Sequence, residues 1–390
     1  MTNEDHGAVY DLLAARGVSR RDFLKFCGSV AALLGLSEAM VPQVIAAVEK
    51  GATLQPALWY NGGSCTGCTE SMAQVDSPDV ATIVLDLLSL NYFETVMMAQ
   101  GADAEKAAEE TIHAGGYVLI YEGSVMKGED GNTLRIADRT GLEILEEAGK
   151  DAAACIAVGS CAVDGGWVAA RPNPAEATGV KMFFDEKGIT TPVINLPTCP
   201  VNPEWIVAMV VDVLLLGGLE DGKILKKLDD FGRPKGIFGQ SIHDNCPRRG
   251  HFENGEFVYE FGSTEESMGY CLYAMGCKGP QTFTNCPIVR WNRRASWCVE
   301  AGSPCIGCGN AGPKEGMNWV DLDTPFLNRH RDLPIGGATF QPTTIGAGVG
   351  AVAAAALVVH GIGMKAAGRM DGGADYEEMK AHDRKKGGGK

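Results

Sequence analysis

The chain has 390 residues, of which 45% are hydrophobic, and it carries a formal net charge of −15. This length and apolar content are sufficient for two domains with their own cores. The negative charge disfavours a nucleic-acid partner, which would require a basic face. Thirteen cysteines are present, and a disulfide framework is more typical of small secreted domains than of a long apolar chain.

Residues 1–50 have the character of an export signal. Residues 19–25 have the sequence SRRDFLK, which matches the twin-arginine pattern, and a mostly apolar stretch follows over 26–39. Small residues at Ala46 and Ala47 offer a cleavage point. A twin-arginine signal directs an already folded protein across the membrane, so Cys27 within it is not counted as a ligand. The alternative is an ordinary N-terminal helix with two surface arginines.

Between Leu54 and about Gly222, short apolar runs alternate with helical stretches. Continuous apolar runs are typical of parallel strands that are covered on both faces. They predict strands over residues 57–60, 82–86, 117–121, 155–158 and 193–196. Helices are expected over residues 103–114, 140–148 and 204–216. This βαβ series predicts a doubly wound α/β domain with a parallel sheet.

Four cysteines follow three of the predicted strands: Cys65 and Cys68, then Cys161, then Cys199. Open α/β sheets bind ligands at the carboxyl ends of their strands, so three separate segments converge there. Cys155 lies inside a strand and is expected to be an ordinary buried thiol. Neither of the common glycine-rich nucleotide motifs stands at a strand-to-helix turn, which disfavours nucleotide binding.

The segment after Gly222 is rich in Pro, Gly, Asn and aromatic residues up to about Gly336, and it predicts few and short helices. It contains one further set of candidate ligands: His243, Cys246, Cys271, Cys277, Cys286, Cys298, Cys305 and Cys308. Iron–sulfur clusters usually take four thiolates, with histidine as an occasional substitute, so twelve ligands indicate three clusters. Bound metal would also help to hold so irregular a segment. Zinc, which accepts the same ligand types, is the main alternative.

Residues 345–364 contain no Asp, Glu, Lys or Arg, and this stretch of about 20 residues is long enough to cross a bilayer. Basic residues follow it at Lys365, Arg369, Lys380, Arg384, Lys385 and Lys386. The positive-inside rule then places the tail in the cytoplasm and the preceding domain outside, in agreement with the export signal. A buried helix rich in Gly and Ala is the alternative.

Taken together, these segments resemble the small, electron-transferring subunit of membrane-bound nickel–iron uptake hydrogenases. Beyond the leader and the C-terminal span, the motifs that carry the resemblance are Cys65-Thr-Gly-Cys68-Thr-Glu, Tyr121-Glu-Gly-Ser, Gly-Ser-Cys161, Leu-Pro-Thr-Cys199-Pro, His243-x-x-Cys246 and Pro304-Cys305-Ile-Gly-Cys308. The resemblance covers nearly the whole chain. It implies a signal peptide over 1–50, a flavodoxin-like domain over 51–225, an irregular cluster domain over 226–340, a transmembrane anchor over 341–366 and a cytoplasmic tail over 367–390.

The resemblance also implies three ligand sets. The proximal 4Fe–4S cluster would be held by Cys65, Cys68, Cys161 and Cys199. The distal 4Fe–4S cluster would be held by His243, Cys246, Cys271 and Cys277. The medial cluster would be held by Cys286, Cys298, Cys305 and Cys308. Most relatives have proline where this chain has Cys298 and carry a medial 3Fe–4S cluster, so four thiolates here predict a 4Fe–4S cluster of lower potential.

The resemblance assigns the nickel–iron centre to a separate large subunit, so this chain is expected to hold no nickel ligands and no catalytic residues. Electrons would pass to a cytochrome b or another membrane acceptor that feeds quinone, on the periplasmic side of the membrane. Neither Gly67, Thr69 nor Gly166 is a cysteine, unlike the matching positions of oxygen-tolerant members. A standard proximal cluster and oxygen sensitivity are therefore expected. Glu70 and Glu122 are expected to be structural.

Two other functions fit parts of the sequence. An iron–sulfur subunit of a quinone-reducing respiratory complex would share the α/β domain, but it would hold a single cluster. A non-enzymatic zinc or disulfide protein at the cell surface would use the same cysteines without electron transfer. The candidate ligands between His243 and Cys308 argue against the first, and an iron count distinguishes both from a hydrogenase subunit.

Overall fold

Two units make up the chain, residues 1–328 and residues 329–390. The computed structural model describes residues 19–33, 38–42, 44–45, 55–75, 88–214, 223–314, 318–321, 333–335, 338–340 and 342–367. The predicted strand at 82–86, the predicted cleavage point at Ala46 and Ala47, and the basic tail after residue 367 lie outside the described residues.

A five-stranded parallel sheet lies at the centre of the first unit. Its strands are β1 (Gln55–Asn61), β2 (Leu88–Phe93), β3 (Val118–Glu122), β7 (Ala154–Val158) and β9 (Val193–Leu196). They lie in the order β2-β1-β3-β7-β9, and every neighbouring pair is parallel. If only the five strands of this sheet are numbered in chain order, their spatial order is 2-1-3-4-5, as in flavodoxin-like folds. The prediction of a doubly wound parallel sheet is confirmed.

Four of the five predicted strands coincide with β1, β3, β7 and β9, whereas β2 was not predicted. β2 is an edge strand that pairs only with β1, in the register Gln55↔Leu88 and Trp59↔Phe93. Its polar residues Ser89 and Asn91 interrupt the apolar run. An edge strand needs less apolar surface than a central one, so the signal of a continuous apolar run is absent here.

Three short antiparallel ladders lie outside this sheet. They pair β4 (Val125–Met126) with β8 (Ala177–Thr178), β5 (Arg135–Ile136) with β6 (Arg139–Thr140), and β10 (Leu333–Ile335) with β11 (Ala338–Phe340). The α-helices are α1 (Arg20–Leu33), α2 (Gly67–Met72), α3 (Ala102–Ala114), α4 (Gly141–Lys150), α5 (Ser160–Asp164), α6 (Val180–Lys187), α7 (Pro203–Leu214), α8 (Lys223–Lys227), α9 (Lys235–Phe238), α10 (Arg249–Glu253), α11 (Thr264–Ser267), α12 (Cys286–Val289) and α13 (Pro342–Ala366). Short 3-10 turns cover Glu38–Met40, Glu129–Gly131, His243–Asn245, Leu272–Met275, Gly279–Gln281 and Cys308–Asn310.

Alternate residues of the strands enter two separate cores. On one face Leu58 and Leu119 pack with α3, α4 and α6. On the other face Trp59 and Ile120 pack with α7 and with part of the segment after residue 223. Because successive side chains of a strand point to opposite faces, the continuous apolar strands bury both faces, and helices cover each one.

Two predicted helices are found with shifted ends. The helix expected over 140–148 is α4, which begins after Thr140 and continues to Lys150. Thr140 is its N-cap, and its side chain and that of Glu143 form a capping box. The helix expected over 204–216 is α7, which is described from Pro203 to Leu214.

Residues 223–314 contain short helices and isolated β-bridges. A buried ion pair ties this segment to the sheet and to the last cysteines. Arg233 Nε donates to Asp229 Oδ2 at 3.0 Å, and Arg233 Nη1 donates to the Gly309 carbonyl at 2.7 Å. The backbone N–H of Asn195, in β9, donates to the Gly232 carbonyl at 2.8 Å. The predicted domain boundary near residue 225 falls inside the first unit and remains a prediction.

In the second unit, α13 contains one stretch long and apolar enough to cross a membrane. Gly348–Ala366 spans 19 residues with a mean hydropathy of 1.6, and none of its side chains is buried. At 1.5 Å per residue, 19 residues extend about 28 Å, close to the roughly 30 Å of a hydrocarbon core. The predicted span at 345–364 lies within this helix.

The capping box of α4 yields a prediction for stability. Thr140→Ala removes the side-chain acceptor for the Glu143 N–H, and it is expected to lower the free energy of unfolding by about 1 kcal/mol. Anaerobic urea unfolding, followed by circular dichroism, measures this change. Thr190→Ala, at an exposed position, is the control and should leave stability nearly unchanged. An equal effect of both substitutions would contradict the role of the cap.

Candidate metal centres

The first group of cysteines lies at the carboxyl edge of the sheet, as predicted. Cys65 follows β1, Cys68 lies in α2, Cys161 lies in α5 directly after β7, and Cys199 follows β9. Burial raises the pKa of the Cys161 thiol to about 12, and the nearby thiols of Cys199 and Cys65 raise it further. Burial also raises the pKa of Cys68, with smaller contributions from Glu122, Cys161 and Cys199. The thiol of Cys161 therefore lies near those of Cys65, Cys68 and Cys199.

Two glycines leave room beside these sulfurs. A Cβ on Gly159 would lie 2.7 Å from Cys68 Sγ, and a Cβ on Gly166 would lie 2.7 Å from Cys161 Sγ. Both glycines have positive φ, +87° and +54°, a conformation that other residues rarely adopt. The backbone N–H of Val201 donates to Cys68 Sγ at 3.5 Å. A side chain at either glycine would occupy the space next to a sulfur. Glycine keeps this space open for a bulky group bound through the sulfurs.

A buried carboxylate holds the loop that contains Cys65 and Cys68. Glu122, at the end of β3, accepts hydrogen bonds from Trp59 Nε1 at 3.2 Å and from the Cys68 N–H at 3.0 Å. It also accepts from Ser64 Oγ at 3.1 Å and from Thr69 Oγ1 at 2.5 Å. Four donors use both carboxylate oxygens, so the ends of β1 and β3 are fixed to the start of α2.

The second group lines a single cavity of 340 Å³. Its members are Cys286, Cys298, Cys305 and Cys308. Cys286 and Cys305 are buried, whereas Cys298 is exposed. Thr284 Oγ1 lies 2.7 Å from Cys286 Sγ, and Cys305 Sγ lies 3.7 Å from Thr282 Oγ1. The structure therefore places the predicted fourth member, Cys298, on the same cavity wall as the other three.

The third group contains Cys246, Cys271 and Cys277. Burial raises the pKa of Cys246, and the thiols of Cys277 and Cys271 add to this effect. His243 lies in the single turn that precedes Cys246, with its ring packed edge-on against Phe252 at 4.6 Å between centroids. Burial, with a contribution from Arg249, lowers the pKa of His243. The neutral imidazole, which is the form that ligates metals, is thereby favoured.

Direct contacts join the three groups in series. The backbone N–H of Cys199, in the first group, interacts with the Cys308 thiol of the second, and Cys199 also lines the 340 Å³ cavity. Ser160, next to Cys161, donates to the Cys308 carbonyl at 2.9 Å. The backbone N–H of Cys305, in the second group, donates to Cys277 Sγ of the third at 3.3 Å. The groups therefore form a continuous chain from the sheet edge to the segment around Cys246.

The chemistry of these groups, free thiols with one histidine, fits iron–sulfur clusters. All thirteen cysteines lie among the described residues, and all are thiols rather than disulfide-bonded. Within the described part of the chain, no three His, Cys, Asp or Glu side chains gather closely enough to hold a single metal ion. Thiolate sulfurs are the usual ligands of iron–sulfur clusters.

Two protein families match separate parts of the chain. Residues 238–320 match the C-terminal family of the NiFe/NiFeSe hydrogenase small subunit, and these residues include the second and third groups. Residues 65–213 match the family described as NADH ubiquinone oxidoreductase, 20 Kd subunit.

Curated relatives cover most of the chain. The periplasmic [NiFe] hydrogenase small subunit 1 of Nitratidesulfovibrio vulgaris is 41% identical over 76% of this chain and 90% of its own length. The chain belongs to the family of nickel–iron hydrogenase small subunits. The quinone-reactive Ni/Fe-hydrogenase small chain of Wolinella succinogenes is 39% identical over 89% of this chain and 96% of its own length. The resemblance inferred from the sequence is confirmed, and this small subunit is part of a hydrogenase enzyme.

Solved structures agree with this membership. The recombinant [NiFeSe] hydrogenase of Desulfovibrio vulgaris Hildenborough contains a chain that is 36% identical, with a TM-score of 0.62 over 67% of this chain and 95% of that one. The respiratory-complex alternative explains only the α/β part of the small subunit, where its family matches. It does not account for the hydrogenase-specific match over residues 238–320.

Several residues at these groups could not be found from the sequence. The role of Glu122 as a hydrogen-bond acceptor depends on donors that are 53 to 63 residues away. Thr282, Thr284 and Arg233 are buried beside the second group or its loop. The only signal in the sequence was the motif Tyr121-Glu-Gly-Ser. Cys155, by contrast, is fully buried inside β7 as predicted.

The glycine beside Cys68 gives a second prediction. Gly159→Ala would bring a Cβ within 2.7 Å of Cys68 Sγ, and it is expected to lower the iron content by about four atoms, the content of one 4Fe–4S cluster. Iron analysis of anaerobically purified protein measures the change. The matched control is Gly188→Ala, which also has positive φ (+68°) but meets no atom within 4 Å. Equal iron in both variants would argue against a bound group at this position.

Proposed function

We propose that this small subunit transfers electrons from the nickel–iron centre of a large subunit through three iron–sulfur clusters to a membrane acceptor. The observation that carries the proposal is the series of contacts from Cys199 to Cys308 and from Cys305 to Cys277. Three ligand groups in contact one after another would supply a direct route for electrons, a series that isolated structural metal sites do not require.

Each ligand set would have a distinct position on this route. The proximal set is Cys65, Cys68, Cys161 and Cys199; the medial set is Cys286, Cys298, Cys305 and Cys308; and the distal set is His243, Cys246, Cys271 and Cys277. Iron–sulfur clusters supply one-electron acceptors whose potentials depend on ligand type, hydrogen bonds to sulfur and burial. The N–H groups of Val201 and Cys305, which donate to Cys68 and Cys277, would help to set these potentials.

The ligand types would give the three clusters different reduction potentials. The neutral imidazole of His243 adds no negative charge, whereas a thiolate would. The distal cluster would therefore be easier to reduce. The medial set would have four thiolates, and the position of Cys298 on the cavity that the other three cysteines line supports this. We infer a medial 4Fe–4S cluster, with a 3Fe–4S cluster as the product expected when Cys298 is absent.

The proposed partners rest on the family, and the proposed location rests on residues 1–50 and α13. A large subunit would hold the nickel–iron centre, since hydrogenase small subunits pair with one. The relative from Wolinella succinogenes is named quinone-reactive, which supports a cytochrome b or another membrane acceptor for this chain. Residues 1–50 would direct twin-arginine export, and α13 would anchor the protein at the periplasmic side of the membrane. The relative named periplasmic supports this location.

The first test of the proposal is an anaerobic preparation of the small subunit with its large subunit. We expect about twelve iron atoms per small subunit, besides the iron of the partner, and bleaching of the iron–sulfur absorption when hydrogen is added. An iron-free preparation, or clusters that hydrogen does not reduce while an artificial donor does, would contradict electron transfer through this chain.

The medial set yields a further prediction. Cys298→Ala is expected to produce a 3Fe–4S signal in electron paramagnetic resonance of the oxidised protein, whereas the unaltered protein should show no such signal from intact medial sites. The iron count should fall by about one. Cys155→Ala, which removes a buried cysteine in β7, is the control and should leave the spectrum unchanged. A strong 3Fe–4S signal in the intact, unaltered enzyme would overturn the assignment of Cys298.

A further inference from the structure

The twin-arginine segment forms an amphipathic helix. Ser19 caps α1, accepting from the Asp22 N–H at 3.2 Å. Five residues on one side of α1 are buried: Phe23, Phe26, Cys27, Val30 and Ala31. Their spacing of i, i+3, i+4, i+7 and i+8 defines a single apolar face of a helix. On the other side Arg21 and Lys25 are exposed, and Leu24 is 43% exposed.

This apolar face is covered by the folded body of the subunit. α1 packs against α7 and α9, and its buried residues share one core with Trp205 and Phe238. The rings of Trp205 and Phe238 lie edge to face at 5.2 Å. Val44, beyond the end of α1, is also fully buried in this core. The body therefore presents an apolar groove whose occupant is the N-terminal segment of the same chain.

A polar contact joins α1 to the loop beside the medial cysteines. Arg294 Nε donates to Glu204 Oε1 at 2.6 Å, and Glu204 lies in the first turn of α7. Arg294 Nη2 also donates to Ser29 Oγ in α1 at 3.5 Å. Two neighbours of Arg294 in the same loop, Asn292 and Ser296, line the cavity of the medial cysteines. α1 thus contacts the loop that borders the cavity of the medial cysteines.

We propose that residues 20–33 dock in the groove between α7 and α9 of the same chain before the protein is exported. The hydrogen bond from Arg294 to Ser29 helps to hold them there. Docking hides the apolar face of the leader while Arg21 stays exposed. An export machinery can therefore bind the arginines of the folded subunit, but it must detach the helix before the apolar segment enters the membrane. Docking itself stands on the contacts above, and only its consequence for export rests on the proposed leader function.

Alkylation of Cys27 tests the docking directly. The full-length precursor, with its large subunit, would be prepared anaerobically from cells that lack the twin-arginine translocase and pulsed with iodoacetamide. Peptide mass spectrometry then compares Cys27 with the same residue in urea. We expect native Cys27 to react at least about tenfold more slowly, because buried thiols react through local opening. A native rate equal to the rate in urea would overturn the proposal.

Two matched pairs of variants sharpen this test. Phe26→Asp should expose Cys27 to rapid alkylation, while Leu24→Asp, the same change on the exposed face, should leave it protected. Arg294→Ala should raise the rate several-fold, and Arg293→Ala should not, although both positions have positive φ (+60° and +57°). Cys155, fully buried in β7, must stay unmodified in all variants, which shows that the body is folded. Equal rates within the first pair would contradict docking in the groove. Equal rates within the second pair would contradict the role of Arg294.

A separate variant distinguishes docking from export. The double variant Arg20→Lys, Arg21→Lys should abolish export by the twin-arginine route and leave Cys27 protected. Continued export of this double variant would contradict the proposed leader function, whereas the alkylation result would still decide whether α1 docks.

Discussion

The parallel direction of the central strands is the constraint on which the arrangement of the cysteines depends. Because β1, β7 and β9 run in the same direction, the loops that follow them leave the sheet at one edge. That edge gathers the cysteines of the first group, and the carboxylate of Glu122 at the end of β3 ties the strand ends to α2. Cys199 then touches Cys308 of the second group. The position of the later groups is thus set relative to the sheet edge through a few contacts.

Much of this arrangement could be predicted from local sequence. The apolar runs of β1, β3, β7 and β9 indicate buried parallel strands, and cysteines directly after such strands must converge. The partners of Glu122 could not be predicted, because its donors come from distant segments that only the fold brings together. The packing of α1 was also missed. The spacing of residues such as Phe23, Phe26 and Val30 indicates one apolar face. The groove between α7 and α9 that covers this face is formed only by the fold.

The two family matches divide the small subunit into a part shared with other redox enzymes and a part specific to hydrogenases. The α/β part from residue 65 to 213 matches a subunit of NADH ubiquinone oxidoreductase, and it contains the first group of cysteines. The segment from 238 to 320 matches hydrogenase small subunits and contains the other two groups. The buried pair of Arg233 and Asp229 stands between these parts, bonded to the Gly309 carbonyl on one side and adjacent to the Gly232 contact with β9 on the other.

The loops around Cys277 and Cys305 hold one another in place. The N–H of Cys305 donates to Cys277 Sγ, and the N–H of Lys278 donates to the Cys305 carbonyl at 2.8 Å. A displacement of either loop would therefore break hydrogen bonds made by the other, so the geometries of the second and third groups are coupled.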